Sequence, residues 1–454
     1  MATILFDIFP ATGHYNASLL LASRLAKTNR VLFVCEKMYE QKVRKAGFES
    51  YPIKRHILPC HFSIRHIGIN LCLYFYCLSR SHGKEDERSI REEILAHKQM
   101  LEQVQPDLIC LDSHHFYKRF IYDSYLRSGR LLRIQTMQST ARYAYLYPIC
   151  YDILPKYTKI GHVFANLAWK WYKVKSKWIS YIDQLLFPKK NITYYLKLLA
   201  QNSNKDIREE IDYDRYAPRG MDFTGGKEIV IPPTAFDFPE VEDVTTLSFK
   251  RYLTQEYREE QFSSRYLECV HKIIDLRTHG KRIIYVSLGT LSLNDRKRAI
   301  HFYKVLKKTC GKMEGSAYFI ISIGKNVFPI DFVPYPPNIF LFKRVPQLHL
   351  LPYCDLMITH GGMNSITECI SNEVPILVYP LNKSWDQPGN AARVAFHGLG
   401  LKGNMRWVTS DSIKRRIDRI WDHYDFYKNN IRKMKARIAS EPDTAMDYIN
   451  SLLV

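Results

Sequence analysis

The sequence predicts an α/β fold built from two doubly wound parallel-sheet units. Short apolar runs of strand length alternate with amphipathic stretches of helix length, and this alternation pauses and restarts at a seam near residues 240–275. Of the 454 residues, 46% are apolar, which is enough for packed cores and excludes a disordered chain. Strands that alternate with helices indicate parallel sheets, because each crossover helix covers a face of the sheet.

The first unit begins with the first residues of the chain. Its expected strands are TILFDIF (3–9), RVLFVC (30–35), FESYPI (48–53), PDLICLD (106–112) and RLLRIQ (130–135). ATGHYN (11–16) predicts a glycine turn, and helices are expected over 18–27 and 39–47. Residues 186–250 contain proline, glycine and acidic clusters, and we interpret them as an irregular connector.

The second unit repeats the pattern. Its expected strands are KRIIYVSLGT (281–290), GSAYFIISIG (315–324), NIFLFKRV (338–345), CDLMITHGG (354–362) and VPILVYP (374–380). We therefore expect an N-terminal domain over 1–245, followed by a linker and a C-terminal domain over 246–437. No short-period repeat interrupts either unit.

The net charge of +21 raises two other classes of function, a nucleic-acid binder and a protein of anionic membranes. Residues 151–200 hold nine lysines and two aspartates, and WKWYKVKSKWISY (169–181) interleaves aromatic residues with lysine. That composition is typical of a lipid headgroup interface. The alternative is a solvated helix face. We expect no nucleic-acid partner, because the sequence contains no recognisable nucleic-acid module.

The expected location is the cytoplasm, with the inner face of the membrane as a possible peripheral site. The N-terminus lacks a basic, apolar signal sequence and reads as a strand. The apolar stretch IGINLCLYFYCLS (67–79) is too short to span a bilayer and is expected to be buried or interfacial. The ten cysteines form no CxxC motif and are expected to be reduced, mostly buried thiols.

The candidate functional residues follow the expected strands. Ligands of open parallel sheets bind beyond the carboxyl ends of the strands. The residues at such ends are Gly13, His14, Asp112, Gly289, Thr290, His360 and Gly361. This argument depends only on position in the chain.

The stretch ITHGGMNSITE (358–368) has the features of an anion site. Gly361 and Gly362 allow a sharp turn and a close approach to a ligand. The helix that follows offers its first N–H groups and the positive end of its dipole. His360 can donate to a phosphate oxygen, so a nucleotide diphosphate fits this turn.

The first helical turns after these glycines extend the site. Asn364 and Ser365 can reach phosphate, and Glu368 lies one turn beyond Asn364, where a carboxylate suits the hydroxyls of a ribose. The alternative is structural, because Ser365 and Glu368 also have the spacing of a capping box.

Two further turns are candidates. SWDQPGN (384–390) contains Asp386 and Gln387, whose acceptors and donors can hold neighbouring hydroxyls of a hexose. VSLGT (286–290) is a second glycine turn, where Thr290 can contact phosphate or simply end a strand. Neither a Walker A motif nor a complete G-x-G-x-x-G is present, which disfavours P-loop and nicotinamide enzymes.

His14 and Asp112 are candidates for acid–base chemistry. An aspartate that accepts from one imidazole nitrogen raises the basicity of the other, which makes a general base for a hydroxyl. Both residues follow strands of the same expected sheet. The neighbouring His114 and His115 raise the alternative of a metal site, for which no further ligand has convincing spacing.

Together these residues resemble the UDP-glycosyltransferases of family 1, which have the GT-B fold of two Rossmann-like domains facing a cleft. The resemblance is strongest over 344–391, which looks like the nucleotide-sugar signature of the family. GHYNASLLLASRLA, which begins at Gly13, resembles its G-H-x-N-P start, and SLGT also fits. Residues 54–250, the acceptor region of that family, show little match.

The resemblance implies a role for each matching residue. His14 would deprotonate the acceptor hydroxyl, with Asp112 as its partner. The residues implied in donor binding are Gly289, Thr290, Arg344, Val345, Gln347, His360, Gly361, Gly362, Asn364, Ser365, Glu368, Asp386 and Gln387. It also implies a UDP-sugar as co-substrate, a hydrophobic acceptor with a hydroxyl group, inversion at the anomeric carbon, no cofactor, no metal, and a C-terminal segment (438–454) that packs back on the first domain.

Three positions depart from the pattern of the family. Arg344 stands where a tryptophan usually stacks on uracil, which leaves dTDP open beside UDP. Ala17 replaces a proline, and Glu373 replaces a glycine, so the turn at Glu373 is expected to change. The main alternative function is another GT-B enzyme, a UDP-sugar epimerase or a cell-wall lipid glycosyltransferase. A basic nucleic-acid or membrane binding protein is the remote one.

Overall fold

The computed structural model describes residues 1–55, 83–138, 140–186, 191–200, 210–217, 222–239, 246–250, 262–289, 296–324 and 334–453. It contains two parallel β-sheets, each covered by helices, so the predicted α/β fold with two sheet domains is confirmed. The expected buried segment at 67–79 and the candidate Thr290 lie outside the described residues.

The described strands and helices follow each other along the chain. The strands are β1 Thr3–Asp7, β2 Arg30–Cys35, β3 Glu49–Pro52, β4 Leu108–Asp112, β5 Leu131–Gln135, β6 Ile211–Asp212, β7 Asp222–Phe223, β8 Lys227–Val230, β9 Thr246–Ser248, β10 Arg282–Ser287, β11 Ala317–Ser322, β12 Ile339–Phe342, β13 Leu356–Thr359, β14 Ile376–Val378 and β15 Gly400–Lys402. The α-helices are α1 Thr12–Leu25, α2 Lys37–Lys45, α3 Gly83–Val104, α4 Asp123–Arg127, α5 Lys159–Leu186, α6 Ile192–Ala200, α7 Ser264–Thr278, α8 Arg296–Lys312, α9 Gln347–Leu350, α10 Met363–Ser371, α11 Gln387–Phe396, α12 Ser410–Asp422, α13 Tyr424–Ala439 and α14 Thr444–Leu452.

The first sheet has the strand order β3-β2-β1-β4-β5-β8-β9, and all of its neighbouring strands are parallel. From β1 the chain moves outward to β2 and β3, and it then returns to the other side of β1 as β4. The order therefore reverses between β1 and β4, and this is where a doubly wound sheet opens a crevice for a ligand.

The second sheet has the order β12-β11-β10-β13-β14-β15, again with parallel neighbours. Its order reverses between β10 and β13. The strands are almost entirely buried, as expected for apolar runs covered on both faces. Each domain thus has one reversal point, and the predicted site residues follow the four strands that flank these two points.

All ten strands expected from the sequence are present, but three strands of the parallel sheets were missed. The interpretation of 186–250 as an irregular connector is wrong, because this segment contributes β8 and β9 to the first sheet, and β6 pairs with β7 as a small antiparallel ribbon. The strand β15 was missed as well. Strands of three or four residues carry almost no periodicity of their own and are specified by the neighbours with which they pair.

The expected turn at ATGHYN is shorter than predicted. Helix α1 begins at Thr12 with Ala11 as its N-cap, so Gly13 and His14 lie in the first helical turn. The turn itself is closed by a hydrogen bond from Ala11 N to Phe9 O. His14 is therefore held by a helix that packs into the first core through its buried leucines, and not by a loop.

The end of the chain packs on the first sheet. Ala445 and Ile449 of α14 are part of the core formed with β1 and β2, and Ser248 N of β9 donates to Thr444 Oγ1 at 2.9 Å. Because residues 246–248 form an edge strand of this sheet, they belong structurally with the first domain; the predicted boundary at 245/246 stays a prediction.

Two other features bear on the setting of the protein. Across the described part of the chain, every helix is too short or too polar to cross a bilayer. The seven described cysteines are free thiols, and six of them are buried.

Candidate active site

The reversal point of the first sheet brings His14 and Asp112 together. Asp112 is the last residue of β4, and its side chain is fully buried. His14 Nδ1 lies 2.8 Å from Asp112 Oδ2 and 3.3 Å from Thr136 Oγ1, and the His14 side chain is 14% exposed. The other carboxylate oxygen, Oδ1, accepts from the backbone N–H of His114 at 2.9 Å.

The electrostatics of this pair favour an ionised aspartate. Burial alone would raise the pKa of Asp112, but the neighbouring His14 and His114 hold that pKa well below its usual range. A carboxylate only accepts hydrogen bonds, so His14 Nδ1 is the donor. The lone pair of the imidazole is then on Nε2, and the pair can take a proton from a hydroxyl group.

His114 completes this cluster, and His115 does not. The ring centroids of His14 and His114 are 4.3 Å apart, and ligand atoms of His14, Asp112 and His114 all lie within 4.8 Å of one another. This group is the one arrangement among the described residues that can hold a metal ion. His115 turns to a different carboxylate, since its Nδ1 lies 3.8 Å from Asp7 Oδ1. The two neighbouring histidines therefore do not form one metal site.

The reversal point of the second sheet depends on glycine. The His360 imidazole lies between Gly289 and Gly362; a Cβ on either residue would approach the ring to 2.5 or 2.8 Å. Gly289 also has a φ of +70° and Gly361 a φ of +91°, a conformation that favours glycine. A Cβ on Gly361 would meet Val378 Cγ1 at 2.8 Å. The three glycines thus set both the turn and the position of the histidine.

Helix α10 follows this turn, and its N-terminus points toward the cleft side of the second sheet. Its N-cap is Gly362, which has no side chain, so the capping-box alternative for Ser365 and Glu368 is wrong. Ser365 is already inside the helix. The first N–H groups of α10 are therefore available in the manner that anion sites use.

Glu368 is held by a neighbouring amide. Gln347 Nε2 donates to Glu368 Oε2 at 2.6 Å and lies 3.3 Å from Ser365 Oγ, while Tyr285 OH donates to Gln347 Oε1 at 3.3 Å. The structure thus gathers Gln347, Ser365 and Glu368 into one group beside the N-terminal turns of α10. Such a group of acceptors and donors suits a nucleoside.

The segment 384–390 lies directly beside the glycine turn. Asn390 Nδ2 donates to Gly361 O at 2.9 Å and to Asp386 Oδ2 at 2.8 Å. Burial raises the pKa of Asp386, although the hydrogen bond from Asn390 lowers it in part. Gln387 Oε1 accepts from the backbone N–H groups of Leu381 and Asn382, both at 2.9 Å. A contact of Gln387 with a sugar would therefore use its amide nitrogen.

The remaining predicted donor residues are placed differently. Arg344 is exposed at the edge of the second sheet, while the side chain of Val345 is buried in the core of that domain. Contact of Val345 with a nucleotide would therefore use its backbone. The expected change of the turn at Glu373 stays a prediction. Glu373 adopts a φ of +56°, and Arg432 Nε and Lys435 Nζ hold its carboxylate at 2.9 and 3.1 Å.

The two reversal points face each other across the cleft. Asn364 Nδ2, at the start of α10, donates to Gly13 O of α1 at 3.1 Å. Trp385 stacks on His114 with ring centroids 5.5 Å apart and an interplanar angle of 11°. Gly389 N donates to Ile149 O at 2.8 Å, and Tyr216 OH donates to Ser384 O. The His14–Asp112 pair and the glycine turn at 361–362 therefore belong to one candidate site.

Sequence reasoning missed several residues of this site. His114 was considered only as a metal ligand, and Trp385, Asn390 and Tyr216 were not considered. Trp385 had a usable signal, because it directly precedes the candidate Asp386 in the sequence. Tyr216 had none, since it comes from the segment interpreted as a connector.

The comparisons with known proteins agree with this architecture. The family described as "Erythromycin biosynthesis protein CIII-like, C-terminal domain" matches residues 317–449. The UDP-glucosyltransferase YojK of Bacillus subtilis (strain 168) is 22% identical over 438 residues, which cover 94% of this chain and 91% of that relative. The calicheamicin glycosyltransferase structure shares the fold over 100% of this chain and 98% of its own, with a TM-score of 0.61 and 18% identity.

The comparisons therefore support a glycosyltransferase of family 1. The resemblance inferred from its motifs, its GT-B fold and its assignment as a glycosyltransferase enzyme are confirmed. The chain is also similar to the zeaxanthin glucosyltransferase of Pantoea ananas. The two are 27% identical over 200 residues, which cover 41% of this glycosyltransferase and 45% of that relative.

Proposed function

We propose that this glycosyltransferase transfers a hexose from a UDP-sugar to a hydroxyl group of a hydrophobic small molecule or lipid, with inversion at the anomeric carbon. The observation that carries the proposal is the hydrogen-bonded His14–Asp112 pair, which faces a glycine turn and a helix N-terminus across the cleft. One side of the cleft can remove a proton, and the other can hold a diphosphate.

His14 is the proposed general base. Nε2 of its imidazole takes the proton of the acceptor hydroxyl as the oxygen attacks the anomeric carbon. The bond from that carbon to the diphosphate oxygen breaks in the same displacement, and UDP leaves with the electron pair. Asp112 remains ionised because its pKa is held low, and it stabilises the imidazolium that forms.

The second domain is proposed to hold the donor. His360 and the first N–H groups of α10 bind the diphosphate and stabilise the charge that develops as it leaves. Gln347 and Glu368 bind the nucleoside, while Asp386 and Gln387 bind the hexose. We propose that no metal or other cofactor is needed, because the N–H groups of the helix N-terminus and of the imidazole can stabilise the leaving diphosphate. Arg344 is proposed to stack on the base, which admits dTDP as well as UDP.

The acceptor is proposed to be hydrophobic. The support is indirect: one similar relative is named for zeaxanthin, a carotenoid, and two aromatic side chains lie beside the histidines, Phe9 from the first domain and Trp385 from the second. The free thiols of the described cysteines fit a cytoplasmic setting, where thiols stay reduced.

Thermal denaturation with a panel of nucleotide-sugars tests the donor assignment. Binding to the native state raises the melting temperature. We expect a UDP-sugar to raise it more than UDP alone and more than a GDP-sugar, with EDTA present throughout. A larger shift with a dTDP-sugar would change the assignment of the base, and a shift that requires Mg²⁺ would contradict the metal-free proposal.

The reaction itself is tested with the donor so identified and a panel of hydroxylated aromatic, carotenoid and polyisoprenoid acceptors. Mass spectrometry should detect an acceptor heavier by one hexose, and the coupling constant of its anomeric proton should show inversion. Conversion of the UDP-sugar to its epimer without any acceptor would instead support the epimerase alternative.

A further inference from the structure

Helix α5 exposes a continuous apolar face. Nine large apolar side chains on it are each between 48% and 70% exposed. They are Ile160, Val163, Phe164, Leu167, Trp171, Val174, Trp178, Tyr181 and Leu185. Most neighbours in this series are three or four residues apart, so the side chains share one face of the helix, which extends for about 38 Å. We call these nine residues the apolar stripe.

The opposite face fixes the helix to the first domain. Ala165, Trp169, Tyr172 and Ser176 are buried there. Trp169 Nε1 donates to Leu146 O at 2.8 Å, and Tyr172 OH donates to Ala217 O at 3.1 Å. Because these contacts set the rotation of α5 about its axis, the apolar stripe is held outward.

Lysines flank the apolar stripe on both sides. Helix α5 contains five lysines and one acidic residue, Asp183. Exposed Lys170 and Lys177 lie along one edge of the stripe and exposed Lys175 along the other, each roughly 60–90° from its centre at about 100° per residue. Lys173 is turned inward, since its Nζ pairs with Asp214 at 2.6 Å. The result is an apolar strip with two tryptophans and a tyrosine, bordered by positive charge.

We propose that α5 docks on the surface of an anionic lipid bilayer. In this arrangement the apolar stripe lies in the boundary between headgroups and acyl chains, and the flanking lysines contact anionic headgroups. Amphipathic helices that lie in the plane of a membrane combine these features. Just before the helix, the side chains of Ile153, Leu154 and Tyr157 are exposed as well.

Charge favours a bilayer over a second copy of the chain. A symmetric contact through the stripe would place the flanking lysines of one copy near those of the other, and lysine is depleted from protein interfaces. Anionic headgroups neutralise the same lysines, which favours contact with a bilayer. A large exposed apolar patch lowers the solubility of a protein, and such patches commonly mark the site where a partner or a membrane binds.

The docked helix lies close to the active site. Its buried Trp169 and Tyr172 pack with Met137, Ile149 and Tyr216. Ile149 and Tyr216 also contact the segment 384–390 of the second domain. One layer of side chains therefore separates the lipid-facing helix from the candidate sugar-binding loop. The docking proposal does not depend on the proposed reaction.

Cosedimentation of the full-length protein with vesicles tests the proposal. Vesicles of phosphatidylcholine are compared with vesicles of phosphatidylcholine mixed with phosphatidylglycerol. We expect binding to the anionic vesicles, weakened by salt because the charges are exposed. The double variant Trp171→Ala/Trp178→Ala should lower the partition coefficient at least about tenfold, because it removes the two largest side chains of the stripe. Trp407→Ala is the matched control, since Trp407 is 69% exposed on the other domain.

A second pair of variants separates charge from apolar contact. Lys170→Gln/Lys177→Gln should lower binding to anionic vesicles about thirtyfold, which follows from the contribution of the two lysines near a charged surface. Lys27→Gln/Lys308→Gln removes the same charge from exposed positions outside α5 and should change binding little. Equal losses in both pairs would mean that the overall net charge drives adsorption, which would overturn the proposal.

Two other results would also overturn it. A dimer that dissociates in the Trp171→Ala/Trp178→Ala variant would identify a second copy as the occupant of the stripe. Strong protection of Trp171 from iodide in the lipid-free monomer, measured as the difference between wild type and Trp171→Phe, would mean that another part of this chain covers the stripe.

Discussion

The two domains present their candidate functional groups at equivalent places, the reversal point of each sheet, but they hold these groups in different ways. In the second domain the backbone conformation holds the group, because three glycines fix a turn and leave space for the His360 imidazole. In the first domain a side-chain contact between residues far apart in the chain holds the group, since His14 and Asp112 are separated by 98 positions.

The first domain also buries a network of charged side chains beneath its reversal point, and this network is larger than the buried ion pair that Arg393 of the second domain forms with Asp237. Asp7, the last residue of β1, accepts from Arg55 Nη2 at 2.6 Å and from Tyr122 OH at 2.9 Å, and Lys118 Nζ pairs with Glu93 Oε1 at 2.6 Å. All of these side chains are buried. We therefore expect the function of the second domain to be sensitive to side-chain atoms added at its glycines. The function and stability of the first domain should be sensitive to changes of its buried charges.

The largest expected effect tests the side-chain half of this comparison. His14→Ala should lower kcat about a thousandfold, because a general base typically contributes a factor of about 10²–10⁴. Donor affinity should change little, since the donor is proposed to bind the other domain. Both are measured from initial rates and by titration calorimetry. His301→Ala, an exposed histidine of the second domain, is the control. Unchanged turnover would refute the assignment of the base.

The next effect tests the backbone half. Gly361→Ala should weaken donor binding about a hundredfold, because the added Cβ meets Val378 and Gln387 and displaces the turn that holds the diphosphate. Gly315→Ala is a matched control: Gly315 has a φ of +81°, and a Cβ there meets no atom within 4 Å. Both variants should lose about 1 kcal/mol of stability from the positive φ. Equal donor affinities in the two variants would show that the turn does not bind the donor.

A smaller effect is expected at the nucleoside position. Glu368→Ala should weaken donor binding about tenfold, as expected for the loss of one charge-assisted hydrogen bond. Glu373→Ala removes a carboxylate that pairs with Arg432 and Lys435 outside the site, and it should leave donor affinity unchanged. Equal donor affinities in wild type and Glu368→Ala would mean that Glu368 does not contact the donor and only positions Gln347.

The smallest effect concerns the buried charges of the first domain. Burial, and then the charge of Lys118, lower the pKa of His115 well below its ordinary value of 6.5. The unfolded chain therefore binds a proton that the folded chain does not, so stability is lost as pH falls through 6.5. Between about pH 7 and pH 6 this loss is about 0.7 kcal/mol.

Urea denaturation at the two pH values measures this change in the free energy of unfolding. His115→Gln should reduce the pH dependence by that amount, while His301→Gln should not. The pKa of His397 is lowered by burial in the same direction, so part of the dependence should remain in the His115 variant. An unchanged pH dependence in His115→Gln would mean that His115 is protonated in the folded state.

The comparison also explains what could be predicted from the sequence. The glycine turn at 361–362 and its helix are local, so their spacing predicts both the fold and the anion site. His14 and Asp112 could be proposed because each ends or follows a strand, but their distance could not be predicted. Tyr216 and Ile149 reach the cleft from irregular segments, and β8 and β9 are too short to show a period, so no local signal marked them.

The sequence indicates the composition of the apolar stripe, but not which of its side chains face outward. The interleaved tryptophans and lysines of 169–181 left a solvated face and a lipid interface as alternatives. Which side chains face outward depends on Trp169 and Tyr172 being buried, and that follows from contacts with Leu146 and Ala217 in distant parts of the chain.

The packing of α14 on the first sheet has a practical consequence for exchanging domains between related enzymes. The chain forms the first domain and then the second, and its last helix packs on the first domain again. Arg24 Nη1 pairs with Asp443 Oδ2 at 2.5 Å just before that helix. A hybrid enzyme with a new donor domain therefore needs two junctions, one on each side of that domain. It must keep residues 443–452 from the same parent as α1 and β9, because a single junction would join an acceptor domain to a last helix that evolved against a different surface.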